Sequence, residues 1–227
     1  MSYEHQAPTF LYLQIPAEVD ARGYFAEFPE LVSAAGGTLR ALVTSDKVEC
    51  LETGSPPSSL VVAEFDDPAG ADQLLTDARH QQALEPLLEC PETLVLITPG
   101  LPYQGWPDLP DIPTAASVPA PLGPGPNGYM IIQGTVHDEP RIDAYRDVIL
   151  PMLKDLGAYY VVFEAEGKQR VVHGPWNHQI IAISRWPDYA AGHAFWDSDR
   201  YQNTAIPIRT GAGDFWVHFV IGTARKD

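Results

Sequence analysis

Phe10-Leu11-Tyr12-Leu13-Gln14 and Tyr129-Met130-Ile131-Ile132-Gln133 are two apolar runs of equal length ending on the same amide, roughly 120 residues apart. The correspondence continues outward from them. Tyr24 recurs as Tyr145 inside a helical pattern, Gly36 as Gly157, and Leu60-Val61-Val62-Ala63 as Ile181-Ala182-Ile183-Ser184. Phe65-Asp66-Asp67 recurs as Trp186-Pro187-Asp188 and Arg79 as Arg200. Each half therefore reads β-α-β-β-α-β, a split βαβ unit of the ferredoxin-like type. A repeat is also its own control, because a polar residue present in only one copy is less needed by the fold.

In the second half, Ile142, Tyr145, Ile149, Met152, Leu153 and Leu156 recur at helical spacing and Gly157 stands where a C-cap glycine belongs. Residues 158–163 and 170–172 read as a hairpin around Glu166-Gly167-Lys168, followed by a strand at 179–185. Asp188 precedes a second helix carrying Ala191, Ala194 and Phe195, and 215–221 is the last strand. These strands are apolar on both faces, so each sheet needs helices on one side and a second sheet on the other. Nine prolines between Pro99 and Pro126 break both ladders and helices. They predict an irregular surface linker over 99–127 between units 1–98 and 128–227. The expected fold is α+β, with two ferredoxin-like repeats closing a barrel within one chain.

Thirty acidic against fourteen basic residues give a formal charge of −16, which repels nucleic acid and anionic membrane. A small hydrophobic or aromatic molecule is the more natural partner. Neither a basic-then-apolar leader nor a long apolar span is present in the sequence, which reads as cytoplasmic. Cys50 and Cys90 are the only cysteines and lack a CxxC spacing. They read as buried reduced thiols, with a disulfide as the alternative.

Gly174-Pro175-Trp176, the strand end Arg185-Trp186-Pro187, and Phe195-Trp196-Asp197-Ser198-Asp199-Arg200-Tyr201-Gln202 resemble the motifs of the DUF1330 family of the dimeric α+β barrel superfamily. The resemblance covers 128–222 and follows the same element order more weakly over 8–99. It implies two sheets packed into one barrel, normally from two chains and here within one; a homodimer of this pseudodimeric chain stays open. It implies no reaction. Superfamily members include cofactor-independent monooxygenases, muconolactone isomerases, haem-dependent aldoxime dehydratases and chlorite dismutases, polyketide cyclases and hydroxynitrile lyases. What they imply in common is a ligand pocket between a sheet and its own helices.

Polar and aromatic residues are unequally divided between the halves. His137, His173, His178, His193 and His218 lie in the second, as do Trp176, Trp186, Trp196 and Trp216. In register, His218 replaces Ile97, Trp216 replaces Val95, Trp196 replaces Leu75, Tyr160 replaces Leu39 and Arg185 replaces Glu64. The second half thus reads as the working copy and the first as a scaffold. His218 sits mid-strand on the face of Trp216 and Val220; it is either a general acid/base or a core histidine bonded to backbone. Arg185 either holds an oxyanion or pairs with Asp188. Tyr160, His173 and His178 flank the loop of Trp176 and are further catalytic candidates. Trp216, Trp196, Trp176, His193 and Gln133 are candidates for binding substrate.

No HxH, HExxH or paired-cysteine spacing supports a metal, and no GxGxxG or Walker loop supports a nucleotide cofactor. The leading expectation is a cofactor-independent lyase acting by general acid/base catalysis on a small aromatic metabolite. An isomerase, a cyclase, a cofactor-free monooxygenase and a non-catalytic binding module are the alternatives. The decisive expectation is geometric: His218 and at least two of Tyr160, His173, His178, Arg185 and Trp216 should line one cleft, while Leu39, Leu75, Val95 and Ile97 fill its counterpart.

Overall fold

The computed structural model describes residues 7–52, 54, 56–119 and 125–224. Its strands and α-helices run β1 (Thr9–Pro16), α1 (Arg22–Ala34), β2 (Thr38–Val43), β3 (Glu49–Cys50), β4 (Ser58–Phe65), α2 (Pro68–Thr76), α3 (Ala78–Leu88) and β5 (Leu94–Pro99). They continue β6 (Gly128–Val136), α4 (Glu139–Asp155), β7 (Tyr159–Glu164), β8 (Arg170–His173), β9 (Ile180–Trp186), α5 (Tyr189–Trp196), α6 (Ile206–Arg209) and β10 (Gly213–Ile221). A π-helical turn, Tyr201–Ala205, leads into α6. Several helix starts carry side-chain caps, though α1 and α6 have none. Asp67 accepts from the amides of Ala69 and Gly70 ahead of α2, Asp138 from Arg141 ahead of α4, and Asp188 from Ala191 ahead of α5.

The chain forms two compact units, one of Met1–Val48, Pro56–Gly100 and Lys168–Asn177, the other of Glu49–Ser55, Leu101–Gly167 and His178–Asp227. The first has an antiparallel sheet in the order β2-β4-β1-β5-β8, the second an antiparallel sheet in the order β3-β10-β6-β9-β7. Without its outer strand β8 or β3, each has the ferredoxin-like order. The fold is α+β, with two antiparallel sheets and helices.

In the first unit, Leu11 is held between Ala63 of β4 and Ile97 of β5 in register. Its core joins Leu11, Leu13, Phe28, Leu84, Val95 and Ile97, with Leu39 and Leu75 packed against it. Leu39, Leu75, Val95 and Ile97 thus all contribute to this core.

Four expectations need correction. The units are not the sequence halves 1–98 and 128–227, because β8 completes the first sheet and β3 the second. The hairpin of 158–163 with 170–172 does not form: β7 pairs with β9, and β8 pairs with β5 through Val95–His173 and Leu96–Val171. The strand propensities were legible, but a short strand takes whichever backbone edge is open to it. Gly174 ends β8 at φ +80°, and a Cβ there would lie 2.1 Å from the Thr93 carbonyl oxygen, so only glycine lets the chain close on β5. Finally, the proline-rich stretch is irregular apart from a 3₁₀ turn at Ala115–Ser117, yet it is not a free surface spacer. Leu101 and Ile112 are buried in the second core, and the Leu101 amide donates to the Val161 carbonyl while Tyr160 donates to that of Pro113. Part of the linker, residues 120–124, lies outside the described residues. Both cysteines are free thiols, Cys50 exposed and Cys90 half-buried, rather than both buried.

The first unit carries its own titrating group. His80 of α3 is 1% exposed, its Nε2 lies 3.1 Å from the Tyr24 hydroxyl, and burial pulls its pKa from 6.5 to about 4. Below pH 6.5 the unfolded chain takes up a proton that the folded imidazole refuses, so this contribution is complete above 6.5 and is lost as pH falls toward 4. The expected loss is about 3 kcal/mol across that window. Urea midpoints at pH 7 and pH 4 for the protein and for His80→Gln measure it; the variant should show the smaller difference.

Candidate functional site

Strand alternation decides which side chains of the second sheet face its helices. β6 contributes Met130 and Ile132, β9 contributes Ala182, Ser184 and Trp186, and β10 contributes Phe215 and Val217. In β7 the register shifts between Tyr160 and Val162, so Tyr160 and Phe163 both reach this side. Helix α4 brings Tyr145, Arg146, Ile149 and Leu153 over them, α5 brings Phe195 and Trp196, and Tyr201 and Arg209 close one end. These side chains surround a cavity of about 80 Å³.

Its wall is aromatic. Trp186 packs on Phe195 at 5.1 Å, Phe195 on Tyr201 at 4.4 Å and Trp196 on Tyr201 at 4.9 Å between ring centroids. The Trp186 indole donates to Ser184 Oγ at 3.0 Å. The polar groups are phenols: the Tyr145 and Tyr201 hydroxyls lie 3.2 Å apart, and Tyr160 stands edge-on to Phe163 at 5.4 Å. Burial pushes Tyr160 up to about 12 and raises Tyr145 and Tyr201 as well, so all three are neutral donors at physiological pH. Two hydroxyls share one hydrogen bond between Tyr145 and Tyr201, which leaves the second hydrogen for another oxygen.

Arginine supplies the positive charge. Arg209 is buried, forms an ion pair with Glu52 and lies 5.5 Å from the Tyr145 ring centroid and 5.0 Å from that of Phe215. Burial lowers it to about 10, so it stays a cation at neutral pH. Arg146 lies 5.4 Å from the Phe163 ring centroid and bonds Asp143 at 3.3 Å.

Of the residues singled out from sequence, Tyr160 and Trp196 line this cavity. The expected convergence on His218 does not occur. Phe215 and Val217 face the helices, so His218 and Trp216 lie on the opposite face of β10. There His218 is fully buried, Gln133 sits opposite Trp216 in register, and the His178 ring meets Trp216 edge-on at 4.6 Å. Burial lowers the His178 pKa. Arg185 shares that face and is held by neutral partners: it donates to the Tyr159 hydroxyl at 2.6 Å and, with the Asn127 amide turned so that its oxygen faces the guanidinium, through Nε and Nη2 to that oxygen at 2.6 Å.

His193 of α5 bridges two carboxylates, Glu49 at 2.9 Å and Asp197 at 3.3 Å, and Tyr189 also donates to Glu49. That arrangement ties β3 to α5. His173 and Trp176 belong to the first unit, where the His173 Nε2 is 3.4 Å from the Cys90 carbonyl oxygen.

Tyr145, Tyr201, Trp186 and Arg209 were absent from the candidates. A signal for two of them existed, because Tyr24 and His80, bonded to each other in the first unit, stand 121 residues before Tyr145 and Tyr201. Among the described residues no group of three His, Cys, Asp or Glu side chains is placed to hold a metal ion. No imidazole or thiol lines the cavity.

Residues 127–223 match the family described as Domain of unknown function (DUF1330). No curated protein matches the chain. Among solved structures, the putative monooxygenase of Fusobacterium nucleatum subsp. nucleatum is similar at 8% identity over 100% of both chains, with a TM-score of 0.54. An anthrone oxidase-like protein is similar at 15% identity over 98% of this chain and 94% of the other, with a TM-score of 0.51. Chlorite dismutase from Candidatus Nitrospira defluvii, solved with imidazole, matches at 12% identity over 99% of this chain and 93% of its own, with a TM-score of 0.48.

Proposed function

We propose that the aromatic cleft of the second unit is the active site of a cofactor-independent oxygenase for a small electron-rich aromatic molecule bearing a hydroxyl or keto oxygen. One observation carries this reading: the apolar cavity presents three neutral phenols and no imidazole or carboxylate. Such donors bind a substrate oxygen and bind it better as negative charge develops there. They are poor bases. Chemistry that suits them is one in which the substrate is acidic by itself and the protein stabilises its anion.

A methylene activated by an aromatic ketone meets that description. Tyr160 and the free hydrogen of the Tyr145–Tyr201 pair donate to the keto oxygen, water takes the proton, and the resulting dienolate passes an electron to O2. Recombination gives a peroxide at the former methylene, which eliminates water. The balance is CH2 + O2 → C=O + H2O, with the substrate as the reductant. Apolar walls suit an uncharged gas and a flat ring. Neighbours on the same fold are described as a monooxygenase and as anthrone oxidase-like, which agrees with this class without ranking it above others.

A lyase, isomerase or cyclase would use the same oxyanion donors but requires a base within reach of the ligand. His218 and His178 lie on the sheet's other face, so those readings have less support. The test is oxygen uptake with hydroxynaphthalenes and anthrone as substrates, followed by mass analysis under ¹⁸O2. The expected result is consumption of one O2 per product with one labelled oxygen retained. Ligand recovered unchanged would sink the enzyme reading, and an oxygen-independent product would return the lyase to first place.

A further inference from the structure

Arg209 borders two spaces at once. Together with Trp196 and Phe215 it lines the inner aromatic cavity, and with the same two residues it lines an outer groove of about 350 Å³. The groove is the polar one, with Glu52, Gln202 and Thr210 in its wall. At the border the Arg209 side chain is only 8% exposed, its guanidinium packed on Tyr145 and Phe215, and its charge is answered by Glu52, whose side chain is 25% exposed. The cation thus belongs to the packed wall. Its counter-ion comes from the segment after β3, which joins the sheet edge through the Leu51 amide on the Val217 carbonyl at 2.9 Å.

We propose that Arg209 is a specificity residue that selects aromatic carboxylates, with the ring seated in the inner cavity and the ligand's carboxylate taking the place of Glu52. This rests on the cleft being the ligand site, as proposed above, but not on the reaction. Glu52 is the built-in competitor: the same charge-assisted geometry that holds its carboxylate serves a carboxylate presented from inside. A neutral ligand has no such exchange to offer and leaves the ion pair closed. The net charge of −16 slows the approach of an anion at long range. At contact, the nearly dry guanidinium outweighs that field, because its bond to a carboxylate is weakly screened.

The experiment is titration of the full chain, followed by tryptophan fluorescence, with 2-naphthoic acid and with its amide as the neutral twin. The acid is expected to bind about tenfold tighter than the amide. R209M should reduce that ratio to about one, with circular dichroism as the check on folding. E52Q removes the competitor and should tighten the acid about tenfold while leaving the amide within about twofold. Should R209M fail to fold, E52Q decides alone. Equal binding of acid and amide by the unaltered protein, or an E52Q variant that does not favour the acid, overturns the proposal. Absence of binding by both ligands overturns it together with the cleft assignment. Binding with the expected discrimination but without oxygen uptake by any substrate leaves this inference standing and removes only the oxygenase reading.

Discussion

Tyr160→Phe is expected to lower turnover in the proposed oxygenase reaction by about 100-fold, with KM changed by no more than about threefold. The hydroxyl is neutral, held so by burial that pushes its pKa up to about 12, and it lines the cavity from β7. A donor of this kind gains most when the substrate oxygen becomes an anion, so its removal is felt in kcat more than in binding. The ring is retained in the variant, and with it the edge contact to Phe163 at 5.4 Å. Stability should therefore move little, which separates a chemical effect from a structural one. Steady-state oxygen uptake measures the rate and a urea melt the stability. A rate within about threefold of the unaltered protein would remove Tyr160 from the mechanism.

The pattern of what was legible follows from periodicity. Two apolar runs with matched glycines and aspartates announced two α+β units, because period-2 strands, helical stripes and caps are local signals. Alternation also grouped His218 with Trp216 correctly. What it left undecided was which face meets the helices, since β10 is apolar on both and period 2 has no sign. Placing His218 in the cleft was a choice between two faces, and Val217 occupies that side. Tyr145 was hidden for a similar reason, being one member of a helical stripe that packs core and lines a cavity with the same residues. Arg209 lies in a four-residue helix followed by a turn, where an arginine normally meets water. Only the tertiary position of Glu52 shows that it is buried. The exchange of β8 and β3 was not legible because strand pairing is made between backbones, which carry no residue code.

The second large effect concerns the aromatic wall. Trp186→Ala is expected to destabilise the protein by about 3–5 kcal/mol. Trp186 is 1% exposed, packs on Phe195 at 5.1 Å and donates its indole N–H to Ser184 at 3.0 Å. Truncation removes the apolar burial, leaves a void beside a cavity that already exists, and takes from the Ser184 hydroxyl the donor it accepts from, leaving only its own bond to the Met130 carbonyl at 3.5 Å. Trp186→Phe separates these contributions. It keeps a ring against Phe195 and loses the hydrogen bond, so about 1 kcal/mol is expected. The void has a further consequence, because an apolar hole that cannot relax binds a molecule of the shape removed. Indole should accordingly raise the unfolding midpoint of Trp186→Ala more than that of the unaltered protein, with the shift following indole concentration as mass action requires. A cost below about 1 kcal/mol for the alanine variant, or equal effects of indole on both proteins, would mean that the aromatic wall is not packed around Trp186 and that the cleft built on it is misassigned.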